Sequence, residues 1–178
     1  MTRGRSGIRS ILTKAGQKLS FSDMLQLRPA RPQDTPGVLA LVAEIYREYE
    51  CVLDAENEEP HLLAPGAYFR RSGGEFWVVE ENDVVKATVA VSLHGEAAEL
   101  KTLYVHSSLR RQGWGDRLVT LATKYARGAG KSSLMLWSDT RFLDAHRLYR
   151  KMGFSECGER ELHDSNNSRE YGFTKSPL

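Results

Sequence analysis

The stretch from Glu99 to Gly115, ELKTLYVHSSLRRQGWG, constrains this chain more than any other: a β-prone run passes through two arginines into closely spaced glycines that open a helix. Leu100 to Val105 is rich in apolar, strand-favouring residues, and Leu118, Leu121, Ala122 and Tyr125 then recur at helical spacing. Arg110 to Gly115 is therefore a strand-to-helix loop. Glycine lets a backbone approach a ligand closely. The first N–H groups of a helix have no partner within it and, with the helix dipole, favour an anion, to which Arg110 and Arg111 add charge. Such a loop suits a pyrophosphate. Gly115→Val is expected to abolish binding, by setting carbon where phosphate oxygens approach.

Arg110-Arg111-Gln112-Gly113-Trp114-Gly115 resembles the R/Q-x-x-G-x-G/A pyrophosphate loop of the GNAT superfamily of N-acetyltransferases. The preceding LYV looks like that family's pantetheine-binding strand, and Ala145 to Phe154 is similar to its A-x-x-L-Y-x-x-x-G-F helix. The Rossmann fingerprint fails, because Leu118 stands where its third glycine would be. The resemblance covers about residues 25 to 175. It implies a mixed α+β fold in three α-β-α layers, with a mostly antiparallel sheet of six to seven strands between helices. It further implies acetyl-CoA as donor, its pantetheine along Leu103, Tyr104 and Val105 and its pyrophosphate at Arg110, Arg111, Gln112, Gly113, Trp114 and Gly115. One position departs from the pattern: the family often has asparagine three residues before the helix alanine, and here Phe142 occupies it.

The chain has 178 residues, 40% hydrophobic and 27% charged, which suits a single core. No apolar run approaches the ~20 residues that span a bilayer, so a cytoplasmic protein with no membrane partner is expected. A net charge of +2 is too small to imply nucleic acid. Cys51 and Cys157 lie far apart without ligand spacing, which points to free thiols and no metal site. Residues 1 to 23 carry Arg3, Arg5, Arg9, Lys14 and Lys18 with no acidic residue before Asp23, and read as a mobile basic arm ahead of a domain over 24 to 178. A monomer or homodimer is expected.

Along that domain the spacing predicts the order β-α-α-β-β-β-α-β-α-β-β. Asp34 or Thr35 would cap a first helix with Pro36 in its opening turn and Val38, Leu41, Val42, Ile45 and Tyr49 as its buried stripe. Val85 to Leu93 alternates as an antiparallel strand, and Gly128 and Gly130 are expected to stop the long helix at Ala126. Gly153 would cap the helix from Phe142 to Met152.

Acyl transfer to an amine needs a neutral nucleophile, an oxyanion stabiliser and a proton for the leaving thiolate. Tyr149 matches the family's acid tyrosine, with core packing as the competing role. Glu99 resembles the catalytic glutamate of histone-type members; Glu48 and Glu50 are rivals. His106, after the LYV strand, is left outside the catalytic set. Glu48, Glu50, Asp54, Glu56, Glu58 and Glu59 crowd the segment after the first helix, which in the family walls the acceptor cleft. A cationic amine substrate follows, against a plain solvated charge run. The alternative function is a non-catalytic acetyl-CoA-binding module whose basic arm contacts nucleic acid.

Overall fold

Apolar strands whose two faces are both buried need a helical layer on each side, and the middle of this sheet has that character. In the computed structural model, which describes residues 25–178, strand β3 (Val84–His94) contributes Ala87, Val89 and Val91 to one core and Val85 and Ala90 to another. The arm assigned to 1 to 23 lies outside the described residues. β1 (Gln26–Pro29), β2 (Glu75–Glu81), β3, β4 (Ala97–Val105), β5 (Ser133–Asp139), β6 (Ser155–Glu161) and β7 (Arg169–Lys175) form one sheet in the order β1-β2-β3-β4-β5-β7-β6. Every neighbouring pair is antiparallel except β4 and β5.

Helix α1 (Thr35–Glu48) lays Val38, Leu41, Val42 and Ile45 on one face of the sheet, joined there by Phe69 of α2 (Pro65–Arg70). Helix α3 (Trp114–Gly128) packs Leu118, Val119, Ala122 and Ala126 on the other, beside Tyr149 of α4 (Leu143–Lys151). The three-layer α+β fold and the expected order of elements are thus present. Two local expectations change. Asp34 does not cap α1 with its side chain: it binds Arg28 through both oxygens (2.7 and 2.8 Å) and accepts from the Arg31 N–H (2.6 Å). α3 runs through Gly128, since a single glycine costs a helix only ~1 kcal/mol, and the chain turns at Gly130, which has φ +72°.

The feature that makes a site is where β4 and β5 part. Their parallel pairing covers only Ala97 to Glu99 against Ser133 to Met135. β7 holds β5 along Leu134 to Asp139, while β3 holds β4 as far as Val105, so the two strands diverge and open a wedge. From Leu100 onward the β5-facing edge of β4 has no ladder partner. A bulge between Thr88 and Ala90 in the β3–β4 register adds to the bend. The extra residue lies on β4, where Thr102 has φ +50° and its carbonyl accepts from Thr88 Oγ1 (2.7 Å).

Candidate active site

The wedge is a cavity of about 380 Å³. β4 lines it with Leu100 to Tyr104, β5 with Trp137, Ser138 and Asp139, and α4 with Tyr149. Tyr46 of α1 and the segment carrying Cys51, Glu58 and Glu59 close one side; Leu162 to Asp164, Asn166, Ser168 and Glu170 close another. These two walls are tied together. The Val52 N–H donates to Asn166 Oδ1 and Asn166 Nδ2 returns to the Val52 carbonyl, each at 2.8 Å. The Ser165 N–H and hydroxyl donate to Glu58 at 2.7 and 3.0 Å, and Arg141 donates to both Cys51 Sγ and the Asn166 carbonyl at 2.8 Å. Both cysteines are free thiols.

Tyr149 is 4% exposed, with its ring among Phe154 and Phe173 at centroid distances of 5.9 and 5.5 Å. Burial pushes its phenol above the ordinary tyrosine range, while a hydrogen bond with Ser138 opposes the shift. The phenol is therefore a proton-bearing group at neutral pH, at once a core aromatic and a wall of the cavity. His146 is the other conceivable donor on α4, but its Nε2 lies 3.0 Å from the Asp139 backbone carbonyl and burial lowers its pKa.

The loop before α3 reaches its conformation through Gly113, which has φ +80° with no atom within 4 Å of an added Cβ. The first backbone bond of the helix runs from Arg117 N–H to the Gly113 carbonyl (3.1 Å), leaving the N–H groups of Trp114, Gly115 and Asp116 for another acceptor. These donors, the unpaired edge of β4, and the buried Thr102 hydroxyl, which has no hydrogen-bond partner among the described residues, fit a phosphate at one end and an amide-bearing arm along the strand.

Gly115 has a different reason to be glycine. A Cβ there would stand 2.8 Å from Leu148 Cδ2, so the residue lets α3 and α4 meet. Arg110 is also engaged: its guanidinium pairs with Glu48 at 2.6 and 3.0 Å, and its Nε donates to the Val105 carbonyl at 3.0 Å. Arg111 forms no ion pair among the described residues and remains the free cation of the loop. Gln112 donates to the Ser108 carbonyl (2.6 Å). Trp114 is 7% exposed, a core residue beneath the Arg117 guanidinium, so only its N–H can serve a ligand. The side chains of Leu103 and Val105 pack toward the α3 core and Tyr104 toward α1, which leaves the strand's backbone as the ligand-facing part.

Glu99 stands at the closed end of the wedge, paired in register with Ser92 and Met135 and flanked by His94 (3.5 Å) and Lys101 (3.6 Å). It does not line the cavity. Glu59 does. Its Oε1 accepts from the Tyr46 hydroxyl (3.0 Å), itself 3.4 Å from the Tyr104 hydroxyl, and its Oε2 lies 3.3 Å from His61 Nε2, out of hydrogen-bonding line. Burial raises the Glu59 pKa and lowers that of His61 to about 4, so His61 is neutral at pH 7. His106 turns outward, its Nε2 3.1 Å from Glu44 and its Nδ1 accepting from the Ser108 N–H. Sequence spacing gave no hint of Tyr46, which stands one residue off the buried stripe of α1, nor of the cavity carboxylates Asp164, from the β6–β7 connection, and Glu170, from β7.

The described residues thus form a wedge between diverging strands with a phenol in its wall, and the strand β4 that lines it leads on to a helix N-terminus whose first amides have no partner in the helix. Residues 39–154 match the Acetyltransferase (GNAT) family, and the chain belongs to it. It is 33% identical over 99 residues to human N-acetyltransferase 8, covering 52% of this chain and 44% of that protein, so it spans under half of that relative's length. It is 28% identical to the aminoalkylphosphonate N-acetyltransferase of Salmonella typhimurium, across 74% of this chain and 85% of that one. In fold it is similar to a GNAT-family acetyltransferase of Staphylococcus aureus Mu50 (TM-score 0.77, 17% identity, 86% and 99% of the two chains). It is likewise similar to a Salmonella typhimurium acetyltransferase solved with acetyl-CoA (TM-score 0.65, 17% identity, 86% and 94%). These findings agree with the expected family and fold. No helix among the described residues is long and apolar enough to cross a membrane.

Proposed function

We propose that this protein moves the acetyl group of acetyl-CoA onto a primary amine that arrives as a cation, by direct attack with both substrates bound. The observation that carries this reading is the wedge itself, which opens β4's unpaired edge and the Tyr149 phenol to the same cavity. The amides at the head of α3, with Arg111, would hold the pyrophosphate, and the backbone from Leu103 to Val105 the pantetheine arm. A β4 N–H aimed at the thioester carbonyl would stabilise the oxyanion, and Tyr149 would protonate the departing sulfur.

The preference for a cation comes from the lining. Five carboxylates, Glu58, Glu59, Asp139, Asp164 and Glu170, face one lysine, Lys101. Arg141 offsets Asp139 and Arg160 offsets Glu170, but the remaining acids outnumber Lys101. An anionic phosphonate would be repelled from such a lining, whereas an ammonium would be drawn in. The protein would act in the cytoplasm, as a monomer or homodimer, without nucleic acid. The test is thiol release from acetyl-CoA across spermidine, kanamycin, a lysine peptide and 2-aminoethylphosphonate. Turnover with the polycations and little with the phosphonate supports the reading. Thiol release with none of them, or with the phosphonate alone, overturns it.

A further inference from the structure

We infer that Glu59 is the catalytic base that takes the proton of the incoming ammonium, with Tyr46 and Tyr104 holding its carboxylate toward the cavity. The inference rests on the acetyl-transfer reading above. It starts from placement: Glu59 is the cavity carboxylate bonded to a tyrosine hydroxyl from α1, and that hydroxyl reaches the Tyr104 hydroxyl on β4. Both tyrosines of that pair and the proposed acid, Tyr149, line the same cavity as Glu59. The other cavity acids are committed elsewhere: Glu58 to Ser165, Asp164 to the Ser168 N–H at 2.8 Å, Asp139 to Arg141 and Glu170 to Arg160.

Proton accounting closes around these groups. Glu59 takes one proton from R–NH3+, freeing the nitrogen lone pair. The C–N bond forms as the C–S bond breaks, and Tyr149 gives its proton to the sulfur. The second proton shed by the nitrogen restores Tyr149, and Glu59 releases the first to solvent. The sum converts ammonium and thioester to amide, thiol and one proton.

The groups facing Glu59 are Tyr46 from α1, Lys101 and Tyr104 from β4, Glu170 from β7, and His61 and Glu58 on its own segment. Burial raises its pKa and the Tyr46 bond and Lys101 oppose that rise; the net direction is upward from 4.5. Activity should accordingly fall as pH drops through a value above that of a free glutamate.

The experiment is the pH profile of kcat/KM for spermidine in Glu59→Gln, Glu59→Asp and, as a control for loss of one acidic charge, Glu56→Gln. Glu59→Gln should lose about 10²- to 10⁴-fold at pH 7, and that loss should shrink about tenfold per pH unit as the amine becomes neutral by itself. Glu59→Asp should recover part of the rate, Glu56→Gln should keep the parent profile, and acetyl-CoA affinity should be unchanged in all three. A Glu59→Gln defect that is equal at every pH, or absent, overturns the inference while leaving acetyl transfer intact. A parent protein that releases no thiol with any amine overturns both.

Discussion

If Gly115 is glycine because α4 presses on it, a methyl group there should damage packing first and ligand binding second. The added Cβ lies 2.8 Å from Leu148 Cδ2 and 3.9 Å from its Cγ and Cδ1, roughly 1 Å inside comfortable carbon contact. Leu148 is half-buried and can rotate, which puts the overpacking cost near the low end of the usual 1–3 kcal/mol, about 1–2 kcal/mol for alanine. Leu148→Ala alone should cost about 2 kcal/mol through lost packing. In that background the clash is gone, so Gly115→Ala should become neutral or stabilise by ~0.5 kcal/mol. Urea denaturation of the four proteins would therefore give a coupling of about 1–2 kcal/mol, well outside the ~0.5 kcal/mol scatter of independent sites. Additive effects would refute the packing argument. So would a Gly115→Ala variant of parent stability that no longer binds acetyl-CoA in calorimetry, because that is the behaviour of a residue reserved for phosphate.

Asp34→Asn should destabilise the domain by about 3 kcal/mol, as expected when one partner of a buried pair is removed, measurable by urea denaturation. The hydrogen bonds from Arg28 hold the Asp34 carboxyl below its ordinary 3.8, so this contribution is intact above that pH and is lost as pH falls through the lower folded value; thermal melts from pH 7 to pH 2 should show the variant and parent converging. Thr102 is a β-branched residue at φ +50°, so Thr102→Gly should hold or raise stability by ~1 kcal/mol while weakening acetyl-CoA binding, because it removes the buried hydroxyl in the cavity; melting and calorimetry on one preparation check both halves.

The order of elements was readable because the signals were local. Alternation marked β3, helical spacing marked α3, and Gly113 marked a turn that only a positive φ can make. Three-dimensional reasons were not. Whether a glycine faces a phosphate or a leucine depends on how α4 crosses α3, and Gly113 and Gly115 look alike until Leu148 is in place. Glu99 and Glu59 are likewise indistinguishable as letters. Their difference lies in the wedge, which closes at Glu99 and opens toward Glu59. Arg110 read as a free cation because Glu48, far away in sequence, meets it only in the fold. The acidic segment separated into exposed Glu56, a tie between loops in Glu58 and a half-buried hydrogen-bond acceptor in Glu59, a division that composition cannot express.

Acetyl transfer inside the wedge is tested most directly by Tyr149→Phe, which deletes one hydroxyl and keeps the ring that packs on Phe154 and Phe173. Turnover measured under conditions where chemistry limits the rate should fall by about 10²- to 10⁴-fold, with acetyl-CoA affinity close to the parent's and stability lowered by no more than the ~1 kcal/mol of the lost bond to Ser138. The contrary result is a variant with parent kcat and a melting temperature lowered by the ~1 kcal/mol of one lost hydrogen bond, which would make Tyr149 a core residue and move the chemistry elsewhere.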